Sequence, residues 1–141
     1  VPLLKLLQVS CFTLLLLLTP CAVAEAETQV INQFEQPSIL ERAFLHSLGE
    51  SVISKVMVSH GDIQLYFAPR IEKIVHNDTE DFYDISFRVI GFEGPHNPPY
   101  TLIKITVRIP GKNFEKYSVL HYSHRVISSE ELDELAKFAP D

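Results

Sequence analysis

Hydrophobic positions along this chain change period twice, and each change marks a different kind of element. From Leu40 onward, Leu40, Phe44, Leu45, Leu48, Val52, Ile53 and Val56 recur at steps of three, four and one. Such a stripe is one face of an amphipathic helix with a core to cover. Pro37 and Ser38 supply the start, with Glu41 at capping-box spacing after Ser38. Gly49 interrupts the stripe, which costs about 1 kcal/mol against alanine, so a kink is expected there. Gly61 stands where a left-handed C-terminal cap closes a helix.

Beyond Gly61 the period falls to two. Ile63 to Phe67 is short and apolar, Pro69 ends or bends it, and Ile71 to His76 continues extended. Asn77 to Asp81 reads as a polar turn. Tyr83, Ile85, Phe87 and Val89 then alternate with Asp84, Ser86 and Arg88; Ile103, Ile105, Val107 and Ile109 do so against Lys104, Thr106 and Arg108. One buried and one wetted face is the mark of an antiparallel sheet. Pro110 to Asn113 predicts a tight turn, and Phe114 to Tyr122 a last strand. Ser128 with Glu131 repeats the capping-box spacing and opens a short acidic helix through Phe138. Its Leu132, Leu135 and Phe138 either dock on the domain or face a partner, and docking is the simpler expectation. The expected fold is α+β: one amphipathic N-terminal helix on a roughly four-stranded antiparallel sheet, cystatin-like in arrangement, followed by a short C-terminal helix.

Residues 1–24 carry a different pattern. Lys5 gives a positive flank, Phe12 to Leu18 an apolar run, and Ala22-Val23-Ala24 a small-x-small site ahead of Glu25. That order predicts a secretory signal peptide, cut after Ala24 or Ala26. Two other readings are an uncleaved leader acting as an anchor and a lipid on Cys21. The expected organisation is therefore leader 1–24, polar spacer 25–36, α+β domain 37–127 and acidic tail helix 128–141. Both cysteines, Cys11 and Cys21, lie in the leader, so the remainder cannot form a disulfide scaffold or a thiolate metal site. Cleavage after Ala24 leaves 117 residues (141 − 24), enough for one domain with its own core. It also leaves 11 basic and 18 acidic side chains, a net charge of −7. An acidic surface disfavours a phosphate backbone, so nucleic acid is not an expected partner.

The connection between the two clearest strands is compositionally unusual. Gly91 to Tyr100 packs three prolines and two glycines around His96. Proline rings restrict the backbone, so this loop is expected to hold one shape. It reads either as a rigid sheet crossover or as a preformed recognition loop using Glu93, His96, Asn97 and Tyr100. The run Phe92 to Tyr100 resembles the signature of an uncharacterised family of small exported bacterial proteins, domain of unknown function 3888. The resemblance spans roughly Leu40 to Tyr122 and implies a leader, an early amphipathic helix, and a sheet carrying this loop between strands. Ser59-His60 and Thr101 depart from the family pattern, and the tail beyond Ser128 reads as an addition. No activity follows from the resemblance.

Catalytic motifs are absent from the sequence. Past the leader there is no cysteine nucleophile, and the chain has no G-x-S-x-G elbow, no H-E-x-x-H and no glycine-rich phosphate loop. No cofactor is expected. The main reading is a non-enzymatic binding or structural module of the cell envelope, with a protein, peptide or wall component as partner. The alternative is a metal-binding protein with possible hydrolytic activity, drawing ligands from Glu93, His96, His121 and His124. His121 and His124 are three apart, which on a strand puts them on opposite faces. His60 is expected to serve the helix end through the dipole.

Overall fold

In the computed structural model, which describes residues 26–139, the helical layer begins as the sequence predicts and then departs from α geometry. Helix α1 (Ile39–Leu48) opens at Ser38, whose Oγ accepts from the Glu41 N–H at 3.0 Å. The Glu41 carboxylate does not close the expected capping box. It accepts instead from the Arg70 Nε and the Ile71 N–H, both at 3.0 Å. The kink expected at Gly49 is a π-helical segment, Gly49–Ser54, after which α2 (Lys55–Ser59) restores α geometry. Gly61, at φ 90°, ends the layer, and the Asp62 N–H returns to the Met57 carbonyl at 3.0 Å.

The sheet is antiparallel and has five strands, not four, in the order β1 to β5. They are β1 (Glu27–Val30), β2 (Leu65–Asn77), β3 (Phe82–Glu93), β4 (Asn97–Ile109) and β5 (Ser118–Val126). The extra strand, β1, lies in the stretch expected to be a polar spacer and pairs Glu27–Val30 with Lys73–His76 of β2. All four of its residues are exposed, so neither face imposes the alternation that marks a half-buried strand. Pro69 bends β2 without ending it: Ala68 takes φ 52° and the register with β3 slips between Phe67 and Arg70. The last strand starts four residues later than expected. Asn113 and Phe114 adopt positive φ in a short 3₁₀ turn (Lys112–Phe114), which extended pairing does not allow.

One face of the sheet carries the helical layer over a core that includes Leu45, Ile53, Val56, Phe87, Ile103 and Val107. Leu40 is the exception in the apolar stripe: it is exposed, while Met57 takes a buried place. The second face is not simply wetted. Helix α3 (Ser129–Ala136) docks there through Leu132 and Leu135, against Ala68, Ile90, Leu102 and Ile127. Two buried arginines hold its end: Arg88 Nη2 donates to the Leu135 carbonyl and Arg70 Nη1 to the Phe138 carbonyl, each at 3.0 Å. Cations at a helix C-terminus complement its dipole and satisfy its free carbonyls. Burial pulls the Arg88 guanidinium below its usual range, and the Glu72 carboxylate opposes that pull. Among the described residues no helix is long and apolar enough to cross a membrane.

Candidate functional site

The helical layer ends against the edge strand, and the polar groups that meet there come from distant parts of the chain. Tyr122 and His124 are two apart on β5, opposite Ile105 and Ile103, and so share the helix-bearing face. Asp62 leaves the α2 cap directly toward them. Its carboxylate accepts from the Tyr122 hydroxyl and from His124 Nδ1, the latter at 2.8 Å. His60 stacks on the Tyr122 ring, with centroids 4.0 Å apart and an interplanar angle of 13°. Its Nδ1 donates to the Val56 carbonyl at 2.8 Å, the helix-end role expected of it.

This cluster borders a cleft of about 760 Å³ at the end of the sheet. Asp62, Gln64 and His124 line it together with Glu93, Gly94 and Pro99 from the β3–β4 connection. Apolar surface comes from Ile63, Leu65, Phe92 and Val126. Arg125 also borders the cleft, but its guanidinium is engaged by both oxygens of Glu131. The hydrogen-bonding groups offered to a ligand include the exposed Glu93 carboxylate and His124 imidazole and the half-buried Gln64 amide.

Glu93 is the one recognition candidate of the proline-rich run that lines the cleft. The run is tighter than expected, because Glu93 pairs with Asn97 and only Gly94, Pro95 and His96 turn between the strands. Gly94 and His96 both take positive φ, at 56° and 59°. The His96 ring stacks on Phe92 at 4.0 Å and meets Phe67 edge-on at 4.9 Å. Tyr100 donates its hydroxyl to the His96 carbonyl at 2.5 Å and packs against the core under α3. His96 and Tyr100 therefore build the turn, and Asn97 is exposed at its base.

The proposed metal ligands do not assemble. His121 faces Thr106 on the sheet face opposite to His124, as strand geometry requires. Among the described residues no three His, Cys, Asp or Glu side chains converge as a metal site would need. Asp62, Gln64 and Tyr122 were not legible as site residues. Asp62 and His124 are 62 positions apart, and nothing local to either signals the other.

A second cleft, of about 680 Å³, lies between β1, α1 and the sheet, with Val30 and Leu40 exposed at its rim. Of its charged groups, Glu41 and Arg70 are committed to each other and to backbone, and Glu35 is exposed at its edge. Its wall is mainly carbon, whereas the first cleft brings an oriented carboxylate–imidazole pair to its surface.

The tyrosine makes the cluster testable by pH. Burial first, then the hydrogen bond and charge of Asp62, push the Tyr122 phenol far above its ordinary range. A raised folded-state pKa gives stability that is complete below the unfolded value, about 10, and is lost as pH rises beyond it. Urea midpoints are expected to fall between about pH 9 and pH 11 in the unmodified protein, and less steeply in Tyr122→Phe. Equal slopes would show that Tyr122 is not the responsible group.

Comparison of the chain with protein-family models, curated proteins and solved structures returns no match.

Proposed function

We propose that this protein is an exported binding domain of the cell envelope that takes its ligand in the cleft beside the proline-rich turn. The observation that carries the reading is the cleft itself, which Glu93 of the hairpin lines together with the Asp62–His124 pair. A concave site with an apolar wall and a few placed polar groups is the usual form of a ligand site. Export rests on the leader pattern of residues 1–24. Kinship with the family of domain of unknown function 3888, and a cystatin-like curl of the sheet about its helix, belong to the same proposal. The helix-on-antiparallel-sheet layering supports the second. The ligand class is a peptide or wall component that can donate a hydrogen bond to an exposed carboxylate.

Two-dimensional amide NMR of the protein with N-acetylated tripeptides and with N-acetylglucosamine oligomers tests this. At least one probe is expected to move the resonances of Asp62 to Leu65, Phe92 to Gly94 and His124 to Val126. Glu93→Gln and His124→Ala are expected to weaken that probe tenfold or more while lowering stability by no more than about 1 kcal/mol. Shifts confined to other surfaces, or undiminished binding by both variants, would refute the assignment.

A further inference from the structure

We propose that Asp62 and His124 form an acid–base pair, and that the cleft they border hydrolyses neutral acyl esters with water as the nucleophile. The inference rests on the reading that this cleft is the ligand site. Its geometry is that of an oriented base. The Asp62 side chain is 12% exposed and the His124 side chain 54%, so the carboxylate is sheltered and the ring is open to the cleft. A carboxylate only accepts hydrogen bonds, so His124 donates from Nδ1 and its lone pair resides on Nε2. Tyr122 donates to the same carboxylate and is itself pinned by the His60 ring, which holds Asp62 in place. His76 makes the contrast: its ring is 19% exposed and its partner Asp78 74%, so there the carboxylate is in solvent and the ring is sheltered.

The step balances without any further reactant. Nε2 of His124 takes a proton from water as the water oxygen bonds to the carbonyl carbon, and the C=O π electrons move onto oxygen. The imidazolium so formed faces the Asp62 carboxylate, which stabilises it. Collapse of the tetrahedral species breaks the bond to the alkoxy oxygen, which receives the proton back from Nε2. One positioned base accelerates a reaction by about 10²–10⁴-fold, which suits an ester with a good leaving group better than an amide. Ile63, Leu65 and Val126 offer carbon to a short acyl chain, and the Glu93 carboxylate disfavours anionic esters.

The test is hydrolysis of p-nitrophenyl butyrate by the full chain, compared with His124→Ala, His124→Gln, Asp62→Asn and, as a control imidazole, His121→Ala. Saturable turnover is expected in the unmodified protein and in His121→Ala. It should fall about 100-fold or more in both His124 variants. Asp62→Asn, the positioning change, is expected to lower kcat more than it alters KM and to displace the pH–rate profile. Circular dichroism establishes that each variant is folded, and two His124 substitutions guard against one that is not. Turnover retained in both folded His124 variants would overturn the proposal. The uncleaved amide p-nitrobutyranilide separates the two readings. If it moves the Asp62, Glu93 and His124 resonances while the ester is not turned over, catalysis is refuted and binding stands. If neither occurs, the hydrolytic proposal falls, and the binding reading is decided separately by the tripeptide and N-acetylglucosamine titrations.

Discussion

Arg70→Ala is expected to lower the unfolding free energy by about 3–5 kcal/mol, the usual cost of breaking a buried ion pair by removing one partner. Arg70 is 1% exposed and makes four tertiary hydrogen bonds. Nε donates to Glu41, Nη1 to the carbonyls of Glu35 and Phe138, and Nη2 to the carbonyl of Asn32, each at 3.0 Å. One side chain on β2 therefore ties together the segment after β1, the first turn of α1 and the chain end beyond α3. Its loss strands the buried Glu41 carboxylate and three carbonyls together. Domains of this size are stable by only about 5–15 kcal/mol, so the variant should unfold at much lower urea. The double variant Arg70→Met, Glu41→Leu is expected to recover part of the loss, because neither partner remains as a lone buried charge. Urea denaturation of the three proteins checks this, and an Arg70→Ala cost below about 1 kcal/mol would show that the pair is not structural.

Phe87→Ala is expected to cost about 3–5 kcal/mol by the same measurement. Phe87 has no exposed surface and lies in the core beneath the helical layer, so truncation removes transferred carbon and leaves a cavity that a sheet paired on both sides cannot fill. Phe34→Ala provides the contrast. That ring is 81% exposed, and its removal should change stability by no more than about 0.5 kcal/mol. A similar cost at both positions would contradict the burial that orders the two layers.

The parts of the fold that were readable all carry a local signal. The stripe from Leu45 to Val56, the glycine at 49 where the helix changes pitch, the cap at Gly61 and the alternation from Ile103 to Val107 each depend on neighbours a few positions away. Where partners lie far off, local reading misled. Glu41 stands at capping-box spacing, yet its carboxylate serves Arg70, and Glu131 likewise leaves the helix start to bind Arg125. Arg88 alternates with apolar neighbours as a wetted residue would, but α3 covers that face and makes it buried.

The candidate site divides the same way. The sequence marks His124 as a candidate ligand and Glu93 as a recognition group, because histidines and a charged residue in a proline-rich loop stand out in any sequence. That they border one cleft, and that Asp62 engages His124, depends on the helix ending against β5. The α+β class, the antiparallel strands flanking the proline-rich turn and the extent of the helical layer follow from local pattern alone, because hydrophobic period and cap chemistry act over a few residues. The fifth strand, the seating of the tail helix on Arg70 and Arg88, and the Tyr122–Asp62–His124 cluster came from long-range packing. Those rest on backbone pairing and hydrogen bonds between residues roughly 40 to 70 positions apart, for which a sequence carries no periodic signature.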